Sequence, residues 1–144
     1  MKIRKGVSAI IFFDSPRGTE YLLLKRKLHW KGWEFAKGGV KIAETKKMAV
    51  RREMREETGL KPLKIKRFNF SGKYKYDKKY LDRKGLVGQS FTLYAVGTRM
   101  KDAKIDNIEH SDYIWLDFEK ALEKLRWENQ KKSLKIVNLW LKTR

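Results

Sequence analysis

The chain has 144 residues, no cysteine and a formal net charge of +19, from 36 Lys+Arg against 17 Asp+Glu. That length suits one domain, 1–144, with one core, and the missing cysteines exclude a disulfide scaffold, a thiolate zinc site and a cysteine nucleophile. A surplus of this sign favours anionic partners such as nucleotides, nucleic acids or acidic membranes, although a lysine-rich, heat-adapted proteome produces the same bias.

The basic start runs into Ala9-Ile10-Ile11-Phe12-Phe13, the longest uninterrupted apolar stretch. It is far too short for a membrane span. Asp14 follows at once and no small-residue cleavage site appears, so it predicts a strand rather than a signal peptide. A cytoplasmic protein without a membrane partner is the expectation, as monomer or homodimer. Gly6 to Phe13 and Glu20 to Arg26 flank a turn rich in Ser, Pro and Gly, which predicts a hairpin. A loop with a short strand at Trp33 to Phe35 follows. Ala43 to Thr58 holds strong helix formers without Gly or Pro, and Gly59 is placed to end it. Leu63 to Tyr76 alternates apolar and basic residues, a long strand or bent pair. Lys78 to Gly88 is expected as a loop, Gln89 to Arg99 as a strand, and Asp102 to Asp112 as a polar connection. Tyr113 to Leu116 is expected as a strand. Asp117 caps a helix from Phe118 to Leu125, and Asn129 to Leu141 forms a last amphipathic helix. The mixture implies an α/β or α+β domain with a mixed sheet.

One segment carries chemistry. Glu53, Glu56 and Glu57 sit at i, i+3 and i+4 on the predicted helix, which puts three carboxylates on one face. Such like charges repel, whereas hard cations such as Mg²⁺ take oxygen ligands and share them with substrate phosphates. Gly38-Gly39 lets backbone approach a ligand closely, and Arg52 can brace a carboxylate through its fork. The competing reading is a solvated acidic face paired with Arg51, Arg52 and Arg55. The wider pattern G-x5-E-x7-R-E-U-x-E-E-x-G-U, with U apolar, is matched at Gly38, Glu44, Arg52, Glu53, Met54, Glu56, Glu57, Gly59 and Leu60. A chance match in a chain of this size is on the order of 10⁻⁸.

This segment resembles the signature of the Nudix hydrolase family, and the order of strands and helices fits as well. The resemblance implies a mixed sheet between helices with a loop–helix–loop catalytic motif. It implies cleavage of a nucleoside diphosphate linked to another group, with Mg²⁺, or Mn²⁺ in its place. By match to the motif, Glu53, Glu56, Glu57 and the backbone carbonyl of Lys37 would hold metal. Arg52 would orient the glutamates, and Glu44, Gly38 and Gly59 would serve structure. Glu109 occupies the place where many relatives carry an extra ligand or base; Glu53 and Glu56 are the other candidate bases.

Substrate class is sorted outside the box. Trp33-Glu34-Phe35-Ala36-Lys37-Gly38-Gly39-Val40 resembles a run in diadenosine polyphosphate hydrolases and RNA 5′ pyrophosphohydrolases, with Ala36 where Pro is usual. Lys37 can also direct its ammonium at phosphates. Tyr76 stands where dinucleoside polyphosphate hydrolases often carry a Tyr, and stacking on a base is worth about 1–3 kcal/mol; the alternative is that Tyr74 or Tyr76 packs on the sheet. Lys25, Arg26, Lys27, Lys73, Lys75, Lys78, Lys79 and Arg83 suit a long polyphosphate or an RNA 5′ end equally. Trp30 or Trp33 can line a base pocket. His29 and His110 lack metal-ligand spacing and are expected to be structural or surface residues. The leading expectation is a dinucleoside polyphosphate hydrolase. An RNA 5′ pyrophosphohydrolase, a (d)NTP pyrophosphohydrolase and, last, a non-catalytic RNA-binding module are the alternatives.

Overall fold

Strand β2 (Gly6–Ser15) alternates its side chains between two cores. Val7, Ala9 and Ile11 enter one cluster, and Ile10 and Phe12 enter the other. Strand β3 (Gly18–Arg26) does the same with Leu22 and Leu24 against Tyr21 and Leu23. Both faces of these strands are therefore covered, which is why the sequence shows continuous apolar runs there instead of strict alternation. Each such side chain, fully buried, contributes roughly 1.5–3 kcal/mol before entropy is charged against it.

The computed structural model describes residues 2–76 and 85–144. Its remaining elements are β1 (Lys2–Arg4), β4 (Gly32–Glu34), β5 (Ala36–Gly39), α1 (Lys46–Thr58), β6 (Lys64–Lys75), β7 (Leu86–Gly97), β8 (His110–Leu116), α2 (Phe118–Lys124) and α3 (Glu128–Thr143). Strand β7 runs parallel to β1 and β2 and antiparallel to β6. Strand β3 pairs antiparallel with β2, β4 and β8, and β5 pairs antiparallel with β2. The result is one mixed sheet. Helix α1 covers one face through Ala49, Val50 and Met54. Helices α2 and α3 cover the other through Ala121, Leu134 and Val137, with Leu125 just past the end of α2. This is an α+β domain with a mixed sheet between helices, the architecture the resemblance implied. Among the described residues, no helix is long and apolar enough to cross a membrane.

The hairpin of β2 and β3 and the three helices stand where the sequence puts them, with shifted ends. Helix α1 begins at Lys46, not Ala43, because Ala43 adopts a positive φ of 64° and Thr45 caps the first turn, accepting from the Met48 N–H at 3.1 Å. Gly59 ends it in the left-handed conformation that favours glycine, φ 69°, donating to the Arg55 carbonyl at 2.9 Å. Helix α2 stops at Lys124 rather than Leu125. Strand β7 starts at Leu86, inside the expected loop; the remainder of that loop, with Lys78, Lys79 and Arg83, lies outside the described residues. Strand β8 starts at His110, three positions early, because β3 supplies a ladder partner for Asp112 and His110. Strand β1 was not foreseen: Lys-Ile-Arg has no period of its own and is ordered by pairing with β7.

Candidate active site

Strand β5 and helix α1 meet at Gly38. A Cβ at that position would overlap the Glu53 carboxylate, so only glycine lets the helix carboxylate lie against the strand. Glu53 and Glu57 are buried on this contact, one helical turn apart. Glu56 is about half exposed and faces outward, so the three glutamates divide into an inner pair and an outer one.

Arg52 organises them. Its Nε and Nη2 donate to the two oxygens of Glu44 at 2.8 and 2.9 Å, a bidentate fork, and Nη2 also donates to the Gly39 carbonyl at 2.8 Å. Its Nη1 reaches the Glu53 carboxylate and, at 3.4 Å, Glu56. The Glu44 carboxylate also accepts from the Lys41 N–H at 3.0 Å. These hydrogen bonds from Arg52 and Lys41 hold the Glu44 acid down at about 2. The resemblance gave Arg52 an orienting role and Glu44 and Gly59 structural ones; the structure brings Arg52 onto Glu44, Glu53 and Glu56 and sets Gly59 at the end of α1.

Glu57 is 2% exposed. Its Oε2 accepts from the Lys37 backbone N–H at 3.3 Å, while Oε1 is buried with no hydrogen-bond partner among the described residues. Burial, then the neighbouring charges of Glu53, Glu34 and Glu109, push its pKa well above the usual carboxylate range. Burial also raises Glu53; Arg52 opposes that shift, and Glu56 and Glu109 add to it. Ligating atoms of Glu57, Glu109 and His110 lie within 4.8 Å of one another. A buried carboxylate oxygen without a donor, among repelling carboxylates, is what a hard divalent cation satisfies. The donor set therefore fits a divalent cation.

Glu109 is half-buried, and Arg26 bridges it to Glu34, with Nη1 at 3.4 Å from Glu109 and 3.2 Å from Glu34. Glu34 is fully buried. Its Oε1 lies 3.2 Å from the Lys37 ammonium, and its Oε2 lies 2.7 Å from His110 Nε2. Burial alone would raise the Glu34 acid; Lys37, His110 and Arg26 outweigh it and hold the acid at about 2. Arg26 and Lys37 are likewise held protonated, because their carboxylate neighbours outweigh their own burial.

A cavity of about 440 Å³ opens beside this network. Trp30, Tyr74, Tyr76, Phe91 and Trp127 give it aromatic walls, and Arg26, Lys37 and Lys75 give it cations. Tyr76 faces this cavity with its hydroxyl donating to Gln89 Oε1 at 3.3 Å, and it meets the Tyr74 ring edge-on at 6.2 Å. Trp30 lines the cavity, whereas Trp33 packs into the core behind it with the Lys124 ammonium 5.4 Å from its ring. The Lys37 ammonium is engaged by Glu34 and by the Tyr74 hydroxyl at 3.3 Å. Lys25 and Lys27 are exposed on and just beyond β3, outside the cavity lining. His110 is fully buried and hydrogen-bonded to Glu34. Its place beside Glu57 and Glu109 was missed, as was Glu34 itself. They are far apart in sequence, and no local spacing signals their meeting.

Known proteins resemble this chain in sequence and in fold. An RNA pyrophosphohydrolase from Hydrogenovibrio crunogenus is 26% identical over 104 residues, which span 65% of this chain and 63% of that protein. The solved Ap4A hydrolase of C. elegans, in a binary complex, superposes with a TM-score of 0.80 at 19% identity, covering 99% of this chain and 100% of that one. A MutT protein from Methanosarcina mazei superposes with a TM-score of 0.68 at 25% identity, covering 98% and 96%. The NUDIX domain model matches residues 2–136, and with the carboxylate helix, its Arg52–Glu44 brace and the sheet around them in place, the chain belongs to the Nudix family.

Proposed function

We propose that the chain hydrolyses a phosphoanhydride bond in a nucleoside diphosphate-linked substrate, and that this substrate is a dinucleoside polyphosphate, diadenosine tetraphosphate giving ATP and AMP. The observation that carries the reading is the juxtaposition of an aromatic cavity, sized for a nucleoside, with a carboxylate cluster that has an unsatisfied buried oxygen. Divalent cations are the expected cofactor of a Nudix site, and here Glu53, Glu57 and the Lys37 carbonyl would hold one, with Glu56 and Glu109 as outer ligands. When bound, the cation neutralises charge developing at phosphorus and makes water a better nucleophile.

The protein's own part follows from its geometry. Arg52 fixes the Glu53 and Glu56 carboxylates in orientation. The Lys37 N–H holds one oxygen of Glu57 and leaves the other without a hydrogen bond among the described residues, available to a cation. Glu109, tethered by Arg26, accepts the proton of the attacking water. Tyr76 and Trp30 stack on a base at the cavity, while Arg26 and Lys75 lend positive field to the polyphosphate.

A specific observation favours a second reading, RNA 5′ pyrophosphohydrolysis. Lys64, Lys66, Arg67, Lys73 and Lys75 stand exposed along β6 without an ion pair among the described residues, and Lys75 reaches the cavity. One incubation separates the readings: purified protein and Mg²⁺ with equal diadenosine tetraphosphate, 5′-triphosphate RNA and dNTPs. Preferential ATP plus AMP supports the proposal. Preferential pyrophosphate from RNA replaces it with the second reading, and release from dNTPs replaces it with pool sanitation. RNA binding without hydrolysis of any of them would make it a binding module, which the complete carboxylate set argues against.

A further inference from the structure

Of the cations that line the cavity, Lys37 and Arg26 are engaged by carboxylates of the protein. Lys37 sits with its ammonium 3.2 Å from Glu34 and 3.3 Å from the Tyr74 hydroxyl. The same ammonium lies 5.2 Å from the Tyr74 ring centre and 5.8 Å from that of Trp30. Two walls of the cavity thus converge on one cation, and that cation rests on one buried carboxylate. The other oxygen of Glu34 takes Arg26, which continues to Glu109 in the catalytic cluster, and His110, which neighbours Glu57 and Glu109. Glu34 Oε2 is hydrogen-bonded within the protein, whereas Oε1 has the Lys37 ammonium at 3.2 Å as an ion pair but accepts no hydrogen bond among the described residues, so Lys37 is the one group that balances it.

We propose that Glu34 is a positioning residue for the nucleoside cavity: through Lys37 it fixes Tyr74 and Trp30 as walls, so Lys37 acts as a strut between carboxylate and rings rather than as a phosphate ligand. This rests on the reading of the cavity as a nucleotide site. Removing the Glu34 charge frees the Lys37 ammonium from its anchor, and Tyr74 and Trp30 lose the group that sets their spacing. The loss then falls on recognition of the nucleoside. A phosphate-ligand role for Lys37 predicts the reverse, a loss confined to phosphates.

The test is calorimetric titration of the full chain, with Mg²⁺, using AMP and inorganic tripolyphosphate as probes. The variants are Glu34→Gln, Lys37→Met and the double variant. Turnover of diadenosine tetraphosphate is followed alongside. Each single variant is expected to weaken AMP about tenfold and raise KM more than it lowers kcat. Tripolyphosphate affinity stays at the parent value. The double variant is no weaker than the weaker single one, because both break one chain. Unchanged AMP affinity in Glu34→Gln with only a lower Tm overturns the proposal, as does a loss that falls on tripolyphosphate, or additive losses. If Glu34→Gln fails to fold, Lys37→Met and Tyr74→Phe break the same chain at its outer links, and both must weaken AMP by similar factors. A parent that hydrolyses nothing but binds AMP, with these losses intact, refutes the proposed activity and leaves the positioning role standing. A parent that does not bind AMP refutes the positioning role.

Discussion

Two buried glutamates show opposite treatment of the same chemical group. Glu34 and Glu57 are 0% and 2% exposed. Glu34 is surrounded by Lys37, Arg26 and His110, and its acid is held at about 2. Glu57 has a backbone N–H on one oxygen, nothing among the described residues on the other, and carboxylates for neighbours, and it moves the opposite way. Burial is common to both, so the difference is made by partners. A buried ion whose partners are supplied by the fold is an anchor. A buried ion whose partner is missing from the fold carries an unpaid electrostatic cost that a ligand relieves. Glu34 is thus balanced by charges of the protein itself, whereas Glu57, among the described residues, is not.

The largest expected effect breaks the α1 side. Glu57→Gln removes a carboxylate proposed to hold the cation and should lower kcat by about 10²–10³-fold or more, while Mg²⁺-free Tm stays level or rises, because the repulsion among carboxylates goes with it. Glu53→Gln is expected to act likewise on turnover. A Glu57→Gln variant that lost both activity and several degrees of Tm would make Glu57 an anchor like Glu34. The contrast is Glu34→Gln, which leaves the buried Arg26 and the partly buried Lys37 without their shared anion. Breaking a buried pair costs about 3–5 kcal/mol, and each kcal/mol moves Tm by roughly 2–4 °C in a chain of this size. Thermal unfolding of the two variants in parallel checks the opposite signs.

Cation binding sharpens the same contrast. Saturating Mg²⁺ at about 100 times its Kd should stabilise the parent by about 2.7 kcal/mol. It should do little for Glu57→Gln, and it should stabilise Glu34→Gln nearly as much as the parent. Calorimetric or fluorescence melts with and without EDTA measure this directly.

The pH dependence also divides them. The ordinary carboxylate value is 4.5, which both residues adopt when unfolded. Between 4.5 and about 2 the unfolded chain binds the extra proton at Glu34. Its contribution is therefore complete above 4.5 and is lost as pH falls toward about 2. At Glu57 the folded chain binds the extra proton above 4.5, so without metal its contribution falls as pH rises through the raised value. The Tm difference between Glu34→Gln and the parent should shrink on acidification below 4.5, and that between Glu57→Gln and the parent should appear only above it. Melts across pH 3–8 in EDTA test both windows.

What the sequence made legible was local. The apolar run at Ala9 to Phe13, the cap at Asp117 and the stop at Gly59 are written in neighbouring residues, and so is the motif that joins Gly38, Glu44 and Arg52 to Glu53 and Glu57. The start of α1 was misplaced because Ala43 is a good helix former held by the Arg52–Glu44 loop in a left-handed conformation. Strand β1 and the first residues of β8 take their order from distant partners. The Glu34 anchor was illegible for the same reason: His110 approaches it from 76 residues away, through the pairing of β8 with β3. Trp30 and Trp33 read alike in sequence, and only β4, which turns Trp33 into the core, separates them.

The smallest predicted effect lies on the cavity side, where binding rather than chemistry is at stake. Tyr76 presents its ring to the cavity and spends its hydroxyl on Gln89 within the protein. Its contribution to substrate is then the ring face, about 1–3 kcal/mol of stacking, which Tyr76→Ala should show as a KM raised roughly tenfold with kcat nearly unchanged. Tyr76→Phe keeps the face and should restore KM. If Tyr76→Ala instead lowers kcat at constant KM, the ring serves the carboxylate side, and the division between a binding cavity and a catalytic helix fails at that residue.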